Sequence, residues 1–564
     1  RDRGKLAAQI YGSAPNYATH LRTVKKSVDP HFIINPGRVI SAEGEVYQPL
    51  VLEESLGDQA GITVDNVKQV KKRLEEAIGA AWVSGNPADL ISYSRDFTIY
   101  SGEAPNIVVA PRTIEDIQSI MKIAYQHNLP VVPMTTGFNH GGLTVPRKGG
   151  LLVDLKRMDR LIDIDEESMT VALEPGVRMR NAFYEAQKIK TYKDIPLKPI
   201  LPLTLGSISL LSNYVSRGGA GSMVKYGNNP DLTAAMTWVL PNGEVLELGP
   251  SAFPNVGNVG LHYGPGPDIG GMFFNADGAF GICANIAAKL YPEQTSEHFQ
   301  AVGVIAENGM SVACQAIYEL SQTHVLEFLY KSHGALLSVS AATMMDGDPR
   351  IVAEMVPEDV FLIIVNGFDE EEVGIKLEIV GEIIDRLDLI EIDTSMLGEG
   401  MDFIGPSKMA AGVYNNTGGA YRGAFQWQAG WLKIEDCPDA WERYKKLVEK
   451  YWKTSDPKIS IQQAITGTAI QGPLPYARCG TLEFDLFWDQ GNPEDVKRAS
   501  TMLRKTTELL FDFGAITIRN MFGFGEMLIP RLGVYTELLK GMRRTFDPEN
   551  LMHPDVLPVT DDYV

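Results

Sequence analysis

Cysteine is scarce in this sequence, and that scarcity limits the redox groups that the chain can hold. Four cysteines occur in 564 residues, and none belongs to a CxxC or CxxCH pattern. Local support is therefore lacking for iron–sulfur clusters, zinc ribbons and covalently attached c-type haem. Any redox cofactor must be bound by other groups.

Two common nucleotide-binding fingerprints are also missing. No GxGxxG stands between a predicted strand and a predicted helix, and no GxxxxGK[ST] occurs, which argues against a Rossmann nicotinamide site and a P-loop. Apolar runs stay well below the roughly 20 residues that cross a bilayer. The sequence therefore predicts no membrane span.

Basic residues are outnumbered: 51 Lys and Arg stand against 71 Asp and Glu, a formal net charge of −20. Such a field repels nucleic acid and anionic lipid, so we expect a soluble, cytoplasmic protein without a nucleic-acid partner. Hydrophobic residues make up 44% of the chain. This is ordinary globular composition, and the length allows more than one domain.

From about residue 105 the pattern alternates between strand and helix, which predicts an α+β fold with a mixed sheet. The tripeptide 241–243 (Pro-Asn-Gly) predicts a hairpin turn. After about residue 297, two strand-then-helix units near 302–321 and 360–387 indicate a separate α+β region.

Three glycine-rich loops carry the clearest chemical signal. Because glycine lacks a Cβ, successive backbone N–H groups can converge on an anion and wrap a pyrophosphate without a Rossmann helix. One such loop is an ordinary turn, but three in this order indicate a cofactor site. The loops are 135–142 (Thr-Thr-Gly-Phe-Asn-His-Gly-Gly), 206–209 (Gly-Ser-Ile-Ser) and 275–281 (Asn-Ala-Asp-Gly-Ala-Phe-Gly).

Further motifs around these loops carry a family resemblance. They are 105–111 (PNIVVAP), 151–158 (LLVDLKRM), 172–177 (ALEPGV), 225–227 (KYG), 239–245 (VLPNGEV) and 546–551 (FDPENL). Together they resemble the FAD-binding domain of the vanillyl-alcohol oxidase and p-cresol methylhydroxylase superfamily, in the right order and over most of the chain. Segment 263–268 (YGPGPD) is most similar to the phenol-oxidising branch, that of 4-cresol dehydrogenase, vanillyl-alcohol oxidase and eugenol oxidase.

The resemblance implies an α+β fold of the p-cresol methylhydroxylase type, in which two subdomains clamp FAD and a cap covers its ring. It implies an FAD-binding domain at 51–297, a cap or substrate domain at 298–504 and a return to the FAD-binding domain at 505–564. The implied cofactor-binding residues are Thr135, Thr136, Gly137, Phe138, Asn139, His140, Gly141, Thr204, Gly206, Ser207, Ser209, Asn213, Asp277, Gly278, Gly281 and Ile282.

Three departures from the family pattern limit what can be transferred. Thr204 stands where the phenol oxidases carry a carboxylate near flavin N5, and threonine is no base at neutral pH. Met527 and Leu528 follow Gly-Glu where the family has a phenolate-binding Tyr-Arg pair. Stretch 478–484 lacks the His or Tyr that bonds to flavin, so we expect noncovalent FAD, with a covalent link at His140 as the alternative.

Catalytic groups must then come from other polar residues near the ring. Glu483 and Asp485 alternate on a predicted strand at 482–487, so both side chains point the same way. A desolvated carboxylate pair shares a proton and has one raised pKa, which suits a general base; two solvated strand carboxylates are the alternative. The catalytic candidates are Tyr414, Arg422, Glu483, Asp485 and Arg519.

The sequence thus predicts an FAD-dependent oxidase or dehydrogenase that oxidises a small organic substrate, aromatic or alcohol, by hydride transfer to flavin N5. Electrons would pass to oxygen, an acceptor protein or a partner subunit, and we expect a homo-oligomer. Thr204, Met527 and Leu528 motivate the alternative, a noncatalytic or electron-relay subunit of a larger redox complex. We expect no metal site, since the HxGDGNxH segment of the metal-dependent hydroxyacid branch is absent, and NADPH-dependent reduction lacks a nicotinamide site.

The first 50 residues contain a partial repeat of the C-terminus. Residues 25–37 (KKSVDPHFIINPG) echo 543–555 (RRTFDPENLMHPD), with a basic pair, Asp-Pro, an apolar pair and a second Pro in both. In the superfamily this pattern closes the flavin domain. We hypothesise that 1–50 is an N-terminal extension, the tail of an earlier flavin-domain copy, kept as a tether or docked on a neighbouring domain.

Overall fold

The structure, a computed structural model, describes residues 15–34, 62–96, 98–99, 102–139, 141–191, 193–202, 204–219, 221–257, 259–334, 356–392, 424–452, 468–517, 527–554 and 556. In this part of the chain, no helix combines the length and apolar character that crossing a bilayer requires. Its α-helices are α1 (Pro15–Val28), α2 (Val64–Ile78), α3 (Pro87–Leu90), α4 (Ile114–Gln126), α5 (Met179–Ala186), α6 (Leu210–Val215), α7 (Met223–Tyr226), α8 (Gly309–Thr323), α9 (Glu370–Arg386), α10 (Cys437–Leu447), α11 (Pro493–Asp512) and α12 (Val534–Phe546).

The first subdomain is a four-stranded sheet covered by α2 and α4. Its strands are β1 (Val83–Ser84), β2 (Ile107–Val109), β3 (Val131–Met134) and β4 (Leu151–Asp154), in the order β1-β2-β4-β3. Strands β2, β3 and β4 are parallel and β1 is antiparallel, which confirms the predicted mixed sheet. Leu74 of α2 and Ile120 of α4 are fully buried in this core. Strand β3 lies at the sheet edge, and the first glycine-rich loop leaves its carboxyl end.

The second subdomain is a six-stranded sheet. Its strands are β5 (Leu161–Asp165), β6 (Thr170–Leu173), β7 (Leu197–Pro199), β8 (Thr233–Val239), β9 (Val245–Leu248) and β10 (Ile282–Pro292), in the order β5-β6-β10-β8-β9 with β7 on β10. The predicted hairpin at 241–243 joins β8 to β9, and Gly243 has a φ of +82°, which favours glycine. Trp238, Phe273 and Phe280 fill the core together with Phe546 of α12.

The cap is an eight-stranded sheet with helices on one face. Its strands are β11 (Ser296–Val304), β12 (Leu326–His333), β13 (Asp359–Gly367), β14 (Ile390–Ile392), β15 (Ala424–Leu432), β16 (Thr468–Pro473), β17 (Gly480–Trp488) and β18 (Ile516–Thr517), in the order β14-β11-β13-β12-β16-β17-β15-β18. The two predicted strand-then-helix units are present as β11–α8 and β13–α9. A boundary at residue 504 would divide α11, and β18 pairs with β15, so the cap sheet continues to residue 517.

The described part of the N-terminal extension packs on the second subdomain. Helix α1 lies against α12 and β9. The His20 ring stacks on Phe546 with centroids 5.6 Å apart, and Leu21 is buried in the apolar core. This helix is therefore an integral part of the folded domain.

Candidate functional site

The three glycine-rich loops meet where the first and second subdomains face each other. Thr136 Oγ1 accepts a hydrogen bond from the backbone N–H of Ser209 at 3.1 Å, which joins the first loop to the second. Ser216, at the end of α6, donates to Asp277 Oδ1 at 2.9 Å, which joins this region to the third loop. Three segments far apart in sequence thus form one continuous cradle.

Two glycines let the third loop approach the neighbouring strands. Gly278 has a φ of +84°, and a Cβ there would lie 2.7 Å from Pro133 Cγ. Gly281 has a φ of +141°, and its Cβ would lie 2.4 Å from the carbonyl oxygen of Val239. Any larger residue would push this loop away from the sheets.

The C-terminal segment holds the third loop from behind. The ring Nδ1 of His553 lies 2.6 Å from the Asp277 carbonyl oxygen. Arg543 donates to the Ala279 carbonyl oxygen at 2.8 Å and pairs with Asp547 at 3.0 Å. The closing motif at 546–551 was the sequence signal for this region, but the motif did not indicate that it supports a loop.

Burial divides the predicted cofactor-binding residues into two groups. The residues of the first group are partly or fully exposed, so their side chains or backbone can contact a ligand. They are Thr135, Thr136, Gly137, Phe138, Asn139, Thr204, Ser207 and Asp277. The buried group shapes the loops instead: Gly141, Gly206, Ser209, Asn213, Gly278, Gly281 and Ile282. Hydroxyl and amide groups next to flexible glycine backbone are suitable donors for phosphate and ribityl oxygens, so the cradle fits an FAD.

Ser209 and Ile282 illustrate the buried group. Ser209 is fully buried, and its Oγ caps α6 by accepting from the Ser212 N–H at 3.1 Å. Ile282 is buried in the core of the first subdomain. Neither side chain presents surface to a cofactor, so both position the cradle rather than contact its occupant.

The two carboxylates predicted to share a strand face lie side by side on β17 and are buried. Glu483 is 5% and Asp485 4% exposed, so the arrangement with two solvated carboxylates does not occur. Burial, and then the charge of Asp485, raises the pKa of Glu483 well above its usual range. Burial raises the pKa of Asp485 to about 7, against a hydrogen bond with Glu483 that lowers it. The pair therefore shares a proton near neutral pH.

Gln471 connects this pair to the FAD-binding domain. Its Nε2 donates to Glu483 Oε2, and a Cβ on Gly219 would lie 3.0 Å from its Oε1. A Cβ on Gly221 would likewise meet the Phe328 ring at 2.2 Å. The open face of the cap sheet thus lies directly against the loop that carries these two glycines. Sequence reasoning missed Gln471, because a strand amide has no signature of its own.

The remaining candidates fall elsewhere. Tyr414, Arg422, Arg519 and His140 lie outside the described residues. Thr204 is partly exposed beside the second loop, where its N–H donates to the Pro202 carbonyl oxygen at 2.9 Å. Of the five catalytic candidates, the described part of the chain therefore holds Glu483 and Asp485.

Comparison with known proteins agrees with this architecture. Residues 105–249 match a family described as FAD binding domain. The chain is 23% identical to the glycolate oxidase subunit GlcD of Bacillus subtilis, over 86% of this chain and 96% of that protein. It is 22% identical to the 4-cresol dehydrogenase [hydroxylating] flavoprotein subunit of Pseudomonas putida, over 88% and 96%.

A solved structure shows the same fold. The structure of p-cresol methylhydroxylase with substrate bound superposes with a TM-score of 0.75 and 20% identity, covering 88% of this chain and 97% of that one. The cradle and these similarities agree on FAD as the cofactor. The chain therefore contains an FAD binding domain, has the fold of p-cresol methylhydroxylase and is an FAD-dependent oxidoreductase.

Proposed function

We propose that this protein oxidises a small, neutral organic molecule, a phenol or an alcohol, with Glu483 and Asp485 as the acid–base pair. The supporting observation is the burial of these two carboxylates on the cap face that meets the FAD-binding domain. A buried carboxylate with a raised pKa is a typical general base. Bound FAD supplies the hydride acceptor, N5 of its ring.

The pair accepts the proton that the substrate O–H releases as the substrate is oxidised. Gln471 donates to one Glu483 oxygen and so fixes the orientation of that carboxylate. A Cβ on Gly219 would lie 3.0 Å from Oε1 of the same amide, so the loop lies close to it, and both carboxylates are buried from water. Exclusion of water raises the basicity of a carboxylate, because its charged form loses hydration.

The charge of the pair favours neutral substrates over hydroxyacids. A pair that shares one proton keeps a net negative charge, and a like charge brought into a buried site is strongly unfavourable. Two relatives are named for their substrates, glycolate and 4-cresol. Glycolate is an anion at neutral pH, whereas 4-cresol is neutral. We therefore infer phenols or benzylic alcohols as the substrate class, with electrons leaving to oxygen or to a separate acceptor protein.

Anaerobic mixing of the FAD-loaded protein with a substrate panel tests this proposal. We expect 4-alkylphenols or benzylic alcohols to bleach the flavin absorbance, and glycolate and D-lactate to leave it unchanged. Glu483→Gln should retain FAD and slow the bleaching by about 100-fold or more. Glu435→Gln is the matched control, since that side chain is 75% exposed.

Three results would contradict the proposal. Bleaching by hydroxyacids alone would reverse the substrate class. A flavin that light reduces but that no organic donor bleaches would favour the electron-relay alternative. Bleaching by NADPH alone would indicate a reductase. Mixing the reduced protein with air then distinguishes an oxidase from a dehydrogenase. Oxygen reoxidises the flavin of an oxidase as fast as the enzyme turns over, whereas a dehydrogenase needs another electron acceptor.

A further inference from the structure

The N-terminal helix and its following turn have the same geometry as the C-terminal closing segment. Residue n of the first corresponds to residue n + 518 of the second. Asp29 follows α1 and accepts from the N–H groups of Ile33 and Ile34, both at 2.9 Å. Asp547 follows α12 and accepts from the N–H groups of Leu551 and Met552 at 2.9 and 2.8 Å.

The basic residue before each aspartate is also equivalent. Lys25 Nζ lies 2.7 Å from Asp29 Oδ2 and 2.7 Å from the Ile34 carbonyl oxygen. Arg543 pairs with Asp547 at 3.0 Å and donates to the Met552 carbonyl oxygen. Each turn is thus closed by a cation that joins the aspartate to the end of the turn.

The backbone conformation of the two turns also matches. Phe32 and Asn550 occupy corresponding positions, with φ values of 51° and 52°. A positive φ is a rare conformation for phenylalanine, so its presence at the position of Asn550 shows that the whole turn is shared.

The C-terminal copy shows what such a turn does. Leu551 and Met552 are buried. Val131 donates to the Leu551 carbonyl oxygen at 2.8 Å, and His553 donates to the Val131 carbonyl oxygen at 2.7 Å. The segment therefore extends the first sheet in parallel at its β3 edge, and it carries His553 to the third loop.

The N-terminal copy presents the same surface to solvent. Ile33 and Ile34, the counterparts of Leu551 and Met552, are 73% and 63% exposed. Within the described ranges, no strand pairs with them. The β3 edge of this chain is already covered by Leu551 and Met552, so a second intact copy of this chain does not offer the partner that Ile33 and Ile34 require.

We propose that residues 29–34 are a second closing element, which docks Ile33 and Ile34 in parallel on the open edge strand of another polypeptide's flavin-type sheet. The partner is defined by the contacts of the C-terminal copy: an apolar edge strand whose N–H and C=O groups pair with the docked residues. Helix α1 remains fixed to this chain through His20 and Leu21. The element therefore links two flavin-type domains, and this inference is independent of the proposed reaction.

Grafting the turn tests whether it is competent to close a sheet. The substitutions Glu549→His, Asn550→Phe, Leu551→Ile and Met552→Ile place the N-terminal sequence in the C-terminal position of the full chain and leave His553 unchanged. We expect FAD affinity within about threefold of the wild type and a similar melting temperature. Leu551→Asp with Met552→Asp is the control, and it should weaken FAD binding by about tenfold or more.

The same control variant, whose sheet edge is opened, serves as an acceptor probe once Ile33→Asp and Ile34→Asp are added, so that it cannot dock on a copy of itself. Mixed with wild-type chain, it should form a one-to-one complex by light scattering and regain FAD affinity. Ile33→Asp with Ile34→Asp in the wild-type partner should abolish the complex while leaving that partner's own FAD binding unchanged. The proposal is overturned if the graft is soluble and helical but loses FAD like the control, or if a folded acceptor forms no complex. If the acceptor variant does not fold, the FAD affinity of the grafted variant alone tests the proposal.

Discussion

The hydroxyl of Tyr226 in α7 donates to the carboxylate of Glu327 in β12 at 2.9 Å, across the boundary between the FAD-binding domain and the cap. Two lysines of the FAD-binding domain pair with the same carboxylate, Lys198 at 3.0 Å and Lys225 at 2.8 Å. Glu327 and Lys198 are both buried. One carboxylate therefore joins the cap to the cofactor-binding domain through three partners.

We expect Glu327→Gln to lower the free energy of unfolding by roughly 3–5 kcal/mol, because it removes the carboxylate that pairs with the buried Lys198. Urea denaturation at pH 7 measures the change. The control is Glu185→Gln, which removes an exposed pair with Lys188 and should change stability by less than about 1 kcal/mol. Equal effects of the two variants would mean that the buried cluster contributes nothing beyond a surface pair.

Lowering the pH should reduce the free energy of unfolding more steeply in the wild type than in Glu327→Gln. Burial raises the pKa of Glu327, but Lys198 and Lys225 outweigh it and hold that pKa below the usual range. A carboxylate with a depressed pKa stabilises the fold above its unfolded pKa of about 4.3, and the contribution is lost as the pH falls through the folded pKa. Denaturation midpoints between pH 7 and pH 3 measure the difference, and parallel curves would contradict it.

The rate of flavin reduction should rise with pH as the Glu483–Asp485 pair loses the first of its two protons and becomes a monoanion that shares the second. Burial raises the pKa of Asp485 to about 7, so the rise should centre near neutral pH. In Glu483→Ala, the pKa of Asp485 loses the hydrogen bond that lowers it while burial still raises it, and the midpoint should move to higher pH. Stopped-flow reduction with a neutral substrate measures both profiles, and an unchanged midpoint would exclude the pair as the base.

Local patterns in the sequence were sufficient to predict much of the fold. The hairpin at 241–243 and the shared face of Glu483 and Asp485 depend on residues within one or two elements, where spacing determines geometry. The repeat at 25–37 likewise indicated a turn whose hydrogen bonds match those of the C-terminal copy. These features could be predicted because each is encoded within about a dozen residues.

Long-range contacts could not be predicted in this way. The Glu327 cluster joins residues more than 100 positions apart, and no motif distinguishes its lysines from surface lysines. Gln471 looks like any strand amide until the loop at Gly219 lies against it. The pairing of β18 with β15, which extends the cap sheet beyond residue 504, has no local signature either.

Gly278→Ala should weaken FAD binding by about tenfold or more. The backbone there has a φ of +84°, and a Cβ would lie 2.7 Å from Pro133 Cγ, so the third loop must move away from the first sheet. Such strain costs about 1–3 kcal/mol, and the loop displacement falls on the cradle itself. The matched control is Gly271→Ala, where a Cβ meets no atom within 4 Å. Fluorescence titration with FAD measures both, and equal affinities would remove the third loop from the cofactor site.

Leu21→Ala should destabilise the whole domain, although it lies in the N-terminal extension. Leu21 is buried in the core that contains Phe546, and a buried Leu→Ala change costs about 2–5 kcal/mol. Ile33 lies in the same extension but is exposed. Ile33→Ala should therefore change the free energy of unfolding of the isolated chain by less than about 0.5 kcal/mol. Thermal unfolding should show a single transition that shifts down in the Leu21 variant, because α1 packs on α12 and α12 leads into the segment that supports the FAD loop. A separate early transition, with the main one unmoved, would show instead that the extension folds independently of the domain.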